Sequence, residues 1–214
     1  MKVGILGTGD VGRVLGSAMI KTGHEVKMGS RDANNEKMMK WVKENGSKAS
    51  GGTFADAAKF GEMLFLCTLW SATEEIIRMA GKENFSGKIV IDTTNPLVFK
   101  PNQPPELALG HTDSGGEQVQ RWLSDAKVVK AFNIVGNAHM FHPQFPDGPP
   151  TMFFCGNDSG AKKQVDDLLH EFGWETIDIG GIDGARLLEP LCILWVKHGI
   201  TSGSWNHAFK LLRK

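Results

Sequence analysis

KVGILGTGDVG, residues 2–12, is the stretch on which the fold turns. Lys2 to Leu6 forms a short apolar run ending at a glycine, the pattern of a strand buried in a parallel sheet. Gly7, Thr8, Gly9, Asp10, Val11 and Gly12 then spell GxGxxG. That motif carries weight only between a strand and an amphipathic helix. Here Asp10 to Lys21 supplies the helix, with Val11, Val14, Leu15, Ala18 and Met19 at helical spacing. Gly7 permits a tight turn, Gly9 lets the backbone approach a pyrophosphate, and Gly12 allows close packing of helix on strand. The first helical turn offers unpaired N–H groups and a positive dipole end to phosphate. The stretch predicts the first strand–helix unit of a dinucleotide-binding sheet.

Working outward, HEVKMGS (24–30) reads as the second strand. At the end of this strand, NAD-selective sites carry an acid that bonds the ribose 2′-hydroxyl. This chain places Ser30 and Arg31 there instead. An arginine fork and a serine hydroxyl suit a 2′-phosphate, so the expected cofactor is NADP(H). Asp32, next in sequence, competes for Arg31.

Further along, a polar helix is expected over 34–44, a short one over 53–59, and a strand over 62–68. Ser71 is placed to cap a helix carrying Ile76, Ile77 and Met79. KIVIDTT (88–94) and KVVKAFN (127–133) are further strands. The proline- and glycine-rich run over 95–116 is too long for an ordinary connection and reads as a functional loop. This alternation predicts an α/β fold, a Rossmann-type doubly wound parallel sheet. After position 138 come the strand TMFFCG (151–156), a helix capped by Asp158 or Ser159, the strand WETIDIG (174–180) and a helical remainder. The expected division is a dinucleotide-binding domain over 1–138. A small mixed α/β extension over 139–214 then completes a redox-partner pocket.

The totals exclude several function classes. Equal numbers of basic and acidic residues, 24 of each, leave no broad positive field for nucleic acid or an anionic membrane. No apolar run reaches the ~20 residues that span a bilayer. The N-terminal run enters a strand at once, leaving no room for a signal peptide, and Cys67, Cys155 and Cys192 form no CxxC pair. A cytoplasmic protein with reduced, buried thiols is expected. The chain has no tyrosine, which excludes the short-chain dehydrogenases and aldo-keto reductases, whose carbonyl chemistry needs a tyrosine acid.

Ligands in doubly wound folds lie outside the carboxyl ends of the strands. Those ends read CTLWSA (67–72), TTNPL (93–97) and AFNIVGN (131–137), poor in acids, bases and metal ligands. Trp70 offers a flat apolar face, while Asn95 and Asn133 offer amides. Such a lining suits a ring-shaped redox partner better than a small hydroxy acid, which wants a general base. No catalytic side chain is assigned. His139 and His142 form HxxH, but no cysteine or nearby acid completes a set and Pro143 stops a helix, so no metal site is assigned. Arg186 and Glu189, three apart, read as an ordinary helical ion pair.

GILGTGDVG, the GSR at the second strand end, TLW, KVVKAFN, ARLLEPL and the C-terminal FKLLR together resemble the NADPH-dependent coenzyme F420 reductase family. The same pattern is similar to the cytosolic NADPH domain of the six-transmembrane ferric reductases. The resemblance implies NADPH across the strand ends, with a deazaflavin (coenzyme F420) or a flavin (FMN or FAD) stacked on its nicotinamide. By carry-over, Thr8 to Gly12 hold the pyrophosphate and Ser30 and Arg31 the 2′-phosphate. Thr68, Leu69, Trp70, Asn95, Pro96, Asn133 and Val135 border the rings. Leu69 stands where the family often has proline, and the turn after AFN reads IVGNAHM. Both departures lie on the redox-partner side. Two other readings stay open. One is a small imine or carbonyl reductase of the pyrroline-5-carboxylate reductase or β-hydroxyacid dehydrogenase type. Those append a longer all-helical domain, and the strands TMFFCG and WETIDIG count against it. The other is a non-catalytic NADPH-sensing module. The apolar stretch 187–196 suits a homodimer or a partner helix.

Overall fold

In the computed structural model, which describes residues 1–101 and 103–214, Lys2–Leu6 (β1) is a central strand. Parallel neighbours flank it, Glu25–Ser30 (β2) on one side and Met63–Leu66 (β4) on the other. Ala49–Thr53 (β3) lies outside β2; Ile89–Asp92 (β5) and Lys127–Lys130 (β8) follow β4 in parallel. Thr151–Gly156 (β9) then pairs antiparallel with β8, and Glu175–Asp178 (β10) runs parallel to β9. One eight-stranded sheet results, in the order β3-β2-β1-β4-β5-β8-β9-β10. The strand order reverses between β1 and β4, which opens a crevice at their carboxyl ends. Leu97–Val98 (β6) and Glu106–Leu107 (β7) form a small separate hairpin within the predicted long loop. Asn102, in the same loop, lies outside the described residues.

Among the described residues, seven helices cover the sheet: Asp10–Lys21 (α1), Glu36–Asn45 (α2), Phe54–Phe60 (α3), Trp70–Ala80 (α4), Gly115–Trp122 (α5), Ser159–Glu171 (α6) and Ala185–Ser202 (α7). Coverage on both faces explains why β4 and β5 are buried at every position. β3 gave no sequence signal because ASGGT contains no large apolar residue. Its glycines are there for the helices. A Cβ on Gly51 would lie 2.8 Å from the Met38 side chain of α2, and one on Gly52 2.9 Å from Asp56 of α3.

Two predicted caps resolve differently. Asp158, not Ser159, caps α6, accepting from the Ala161 amide at 2.7 Å. Ser71 does not cap α4. That helix starts two residues earlier than a Ser71 cap requires, with Leu69 at the cap position and no side-chain bond there. Only three residues separate β4 from the helix, so Ser71 already lies in its first turn. Beyond α7, the tail returns to the sheet, where the Thr151 amide donates to the Phe209 carbonyl at 2.8 Å. Among the described residues, no helix is long and apolar enough to cross a membrane.

Candidate active site at the strand ends

The glycine loop is built by steric necessity at two of its three glycines. Gly7 has φ of +132°, and a Cβ there would sit 2.1 Å from the Cys67 carbonyl oxygen. At Gly12 a Cβ would sit 2.4 Å from the Gly7 carbonyl. Gly9 differs, since nothing among the described residues lies within 4 Å of its Cβ position. It is also the N-cap of α1 and makes no side-chain cap bond. Open space before an uncapped helix N-terminus, with half-buried Thr8 and Val11 alongside, fits a pyrophosphate. Asp10 and Arg13 pair with each other on the exposed side of this turn.

At the end of β2, Ser30 is buried and its hydroxyl donates to the Asp32 carbonyl, closing the turn. The Asp32 carboxylate accepts from the Asn34 amide at 2.9 Å. Among the described residues it makes no ion pair with Arg31, whose side chain stays exposed. The expected pairing of Asp32 with Arg31 is therefore absent among the described residues.

The ends of β4, β5 and β8 form the other half of the crevice. The hydroxyls of Thr68 and Thr73 lie 2.8 Å apart, Leu69 is exposed, and Trp70 is half-buried. One face of Trp70 is taken by Trp122, with ring centroids 5.4 Å apart and planes 23° from parallel. Asn95 and Asn133, 38 positions apart, bond each other twice: Asn95 Nδ2 to the Asn133 carbonyl and Asn133 Nδ2 to Asn95 Oδ1, both at 2.9 Å. Asn133 Nδ2 also donates to the Leu188 carbonyl at 3.0 Å, while its buried Oδ1 has no partner among the described residues. Pro96 and Val135 are buried beside this pair. Cys67, just beyond β4, is pushed up to about 12 by burial, which disfavours its reactive thiolate.

Sequence reasoning missed a buried charge cluster behind the asparagines. Lys130, Asp92 and Glu189 are all buried, and the lysine ammonium lies 2.9 Å from each carboxylate. Burial alone would lower the lysine pKa, but the two carboxylates outweigh it and the net shift is upward. The available signal was a charge closing each apolar strand, as in IVID and KVVK. The predicted Arg186–Glu189 pair does not form. Glu189 faces inward to Lys130, whereas Arg186 reaches across to Glu117 of α5 at 2.6 and 2.8 Å. His139 and His142 contact Phe145 and Phe141 rather than each other. Among the described residues, no group of three His, Cys, Asp or Glu could hold a metal ion.

The Arg186 hydrogen bonds hold the Glu117 carboxyl below its ordinary value of 4.5. A depressed folded pKa means this stabilisation is complete above 4.5 and is lost as pH falls through the folded value. Melting temperatures taken from pH 6 to pH 3 are expected to fall less steeply in Arg186→Ala than in the wild type. Parallel acid limbs would show that the pair contributes nothing to folding.

Comparison with known proteins gives the frame for this geometry. Residues 2–96 match the family model described as NADP oxidoreductase, coenzyme F420-dependent. The F420-dependent NADP reductase of Methanocaldococcus jannaschii is 33% identical over 208 residues, covering 92% of this chain and 91% of that one. A crystal structure from Arthrobacter sp. FB24, provisionally named an F420-dependent NADP-reductase, superposes with a TM-score of 0.93 at 37% identity, covering all of both chains. Metalloreductase STEAP3 of Rattus norvegicus is 28% identical across 89% of this chain, which spans 36% of that longer protein. This chain belongs to the coenzyme F420-dependent NADP oxidoreductase family and is an NADP-dependent oxidoreductase.

Proposed function

We propose that this enzyme exchanges a hydride between NADP(H) and the deazaflavin coenzyme F420. In this reading Thr8 to Gly12 hold the pyrophosphate, and Ser30 and Arg31 hold the 2′-phosphate. The nicotinamide lies among Thr68, Leu69, Trp70, Asn95, Pro96, Asn133 and Val135. The observation that carries the reading is the chemistry of that lining: amides, hydroxyls and an indole, with no exposed acid, base or tyrosine. When bound, the nicotinamide supplies the hydride. The protein's share is to hold two rings at reacting distance and keep water out. Reduction of a carbonyl or imine needs a proton donor at the heteroatom, and among the described residues the ionisable groups closing β5 and β8, Asp92 and Lys130, are fully buried.

The F420-dependent names of the Methanocaldococcus and Arthrobacter relatives support the deazaflavin over FMN or FAD. The segment 139–214 serves as the far wall of the pocket in this reading. Leu188 bonds Asn133, and the Trp195 ring lies 3.0 Å from the Cβ position of Gly136. Leu187 and Leu194, exposed on α7 beside Pro190, suit a homodimer contact. Three unpaired cysteines suit a reducing compartment such as the cytoplasm.

Anaerobic assays of NADPH oxidation with F420, FMN, FAD, small ketones and cyclic imines test the function. Turnover is expected with F420 and none with ketones or imines. Turnover with imines alone would instead establish the small-substrate reductase. Tight NADPH binding without any turnover would identify a sensing module.

A further inference from the structure

The Asp92–Lys130–Glu189 cluster ties together β5, β8, α7 and the start of α5, with Glu189 lying far along the chain from the other three elements. Asp92 and Lys130 stand in register on adjacent parallel strands, β5 and β8. The lysine also donates to the Thr94 carbonyl at 2.7 Å. Asp92 Oδ1 accepts from the Thr94 amide and hydroxyl at 2.9 and 2.7 Å. Glu189 of α7 accepts from the Gly115 and Gly116 amides, both at 2.9 Å, at the start of α5. Two carboxylates and one ammonium leave a single net negative charge in the interior, which the dipole end of α5 offsets.

Stability gives little reason to keep such a cluster, because buried ion pairs are often matched or bettered by apolar residues of similar volume. Its position gives a reason. Thr94, held twice by Asp92 and once by Lys130, is followed directly by Asn95. The carbonyl of Leu188, beside Glu189, fixes the Asn133 amide. A Cβ on Gly115 would lie 3.0 Å from Glu189, 3.1 Å from Trp70 and 3.3 Å from Pro96. The cluster thus abuts the same side chains that border the rings in the proposed function.

We propose that Lys130, with Asp92 and Glu189, is a positioning residue for the reaction: it fixes the Asn95–Asn133 amide pair and Trp70, and through them the orientation of the nicotinamide ring. This rests on the reading that NADP(H) lies across these strand ends. The phosphate-binding corner at the glycine loop, Ser30 and Arg31 belongs to other elements, so the two ends of the cofactor separate experimentally.

Two variants test it, Lys130→Met/Asp92→Asn, which keeps the net charge of the cluster, and Glu189→Gln, which keeps its volume. Affinity for 2′,5′-ADP, which carries only the phosphate end, is expected to stay within about twofold of wild type. The emission of bound NADPH, which reports order at the dihydronicotinamide, is expected to move toward that of the free cofactor. With F420, kcat is expected to fall at least about tenfold while KM for NADPH stays within about threefold. Deuterium transfer from C4-labelled NADPH is expected to lose its single-face selectivity. A folded variant with wild-type emission and face selectivity would overturn the proposal, and if the double variant does not fold, Glu189→Gln decides alone. Should the wild type order NADPH yet reduce no acceptor, the deazaflavin reading fails while the emission comparison still decides the role of Lys130. Should the wild type not bind 2′,5′-ADP, both readings fall together.

Discussion

Replacing Arg31 with alanine is expected to weaken NADPH binding about ten- to a hundred-fold and to change NADH binding by less than about threefold. The magnitude follows from one charged hydrogen bond, worth roughly 1.5–3 kcal/mol. The direction follows from the surroundings. Arg31 is exposed just beyond β2 and makes no ion pair among the described residues, while the Asp32 carboxylate accepts from the Asn34 amide, so the guanidinium is available for a phosphate. Titration calorimetry with both cofactors checks this, and equal losses for the two would refute the phosphate role. The wild-type affinity for NADPH is further expected to fall with added salt more steeply than that of the variant, because the contact lies at the surface. Ser30→Ala is a less clean test. The Ser30 hydroxyl also closes the turn onto Asp32, so its removal disturbs the corner as well as the contact.

The second large effect separates two glycines of the same loop. Gly7→Ala is expected to destabilise the fold by about 3 kcal/mol or more, since it adds strain at positive φ to a backbone overlap. A methyl group there would meet the Cys67 carbonyl at 2.1 Å, and backbone in the sheet centre has nowhere to move. Gly9→Ala is expected to fold like the wild type, within about 0.5 kcal/mol, because its Cβ position is open and its φ of −72° is ordinary. It is nevertheless expected to lose at least about tenfold in NADPH affinity, since the methyl occupies the approach to the helix N-terminus. Thermal melts with and without NADP⁺ measure both quantities. A Gly9→Ala variant that binds as well as wild type would remove the pyrophosphate from this turn.

How far the sequence could be read depended on how local each feature is. β1, the glycine turn and α1 lie within twenty contiguous residues, and β4 and the first three residues of β5 are apolar runs that announce burial. β3 was invisible because its residues were selected to be small under α2 and α3, not to be strand formers. Within the site, Asn95 and Asn133 could each be noticed at a strand end, but not their mutual pairing across 38 positions. Arg186 and Glu189 show the opposite failure. Their spacing suggested a local pair, yet each found a partner far away in sequence, Glu117 and Lys130. The flat apolar face of Trp70 is legible in the sequence, but nothing local reveals that Trp122 stacks on it.

The contact between Glu189 and the start of α5 also bears on how the chain melts. A fragment ending at residue 138 would keep Lys130 and Asp92 but lose the carboxylate that accepts from the Gly115 and Gly116 amides. Two backbone donors and an ion pair would be left incomplete in a dry interior, at the seam where β8 meets β9. The contacts of Glu189 therefore tie α7 to α5 and β8, and they oppose separate unfolding of residues 1–138 and 139–214.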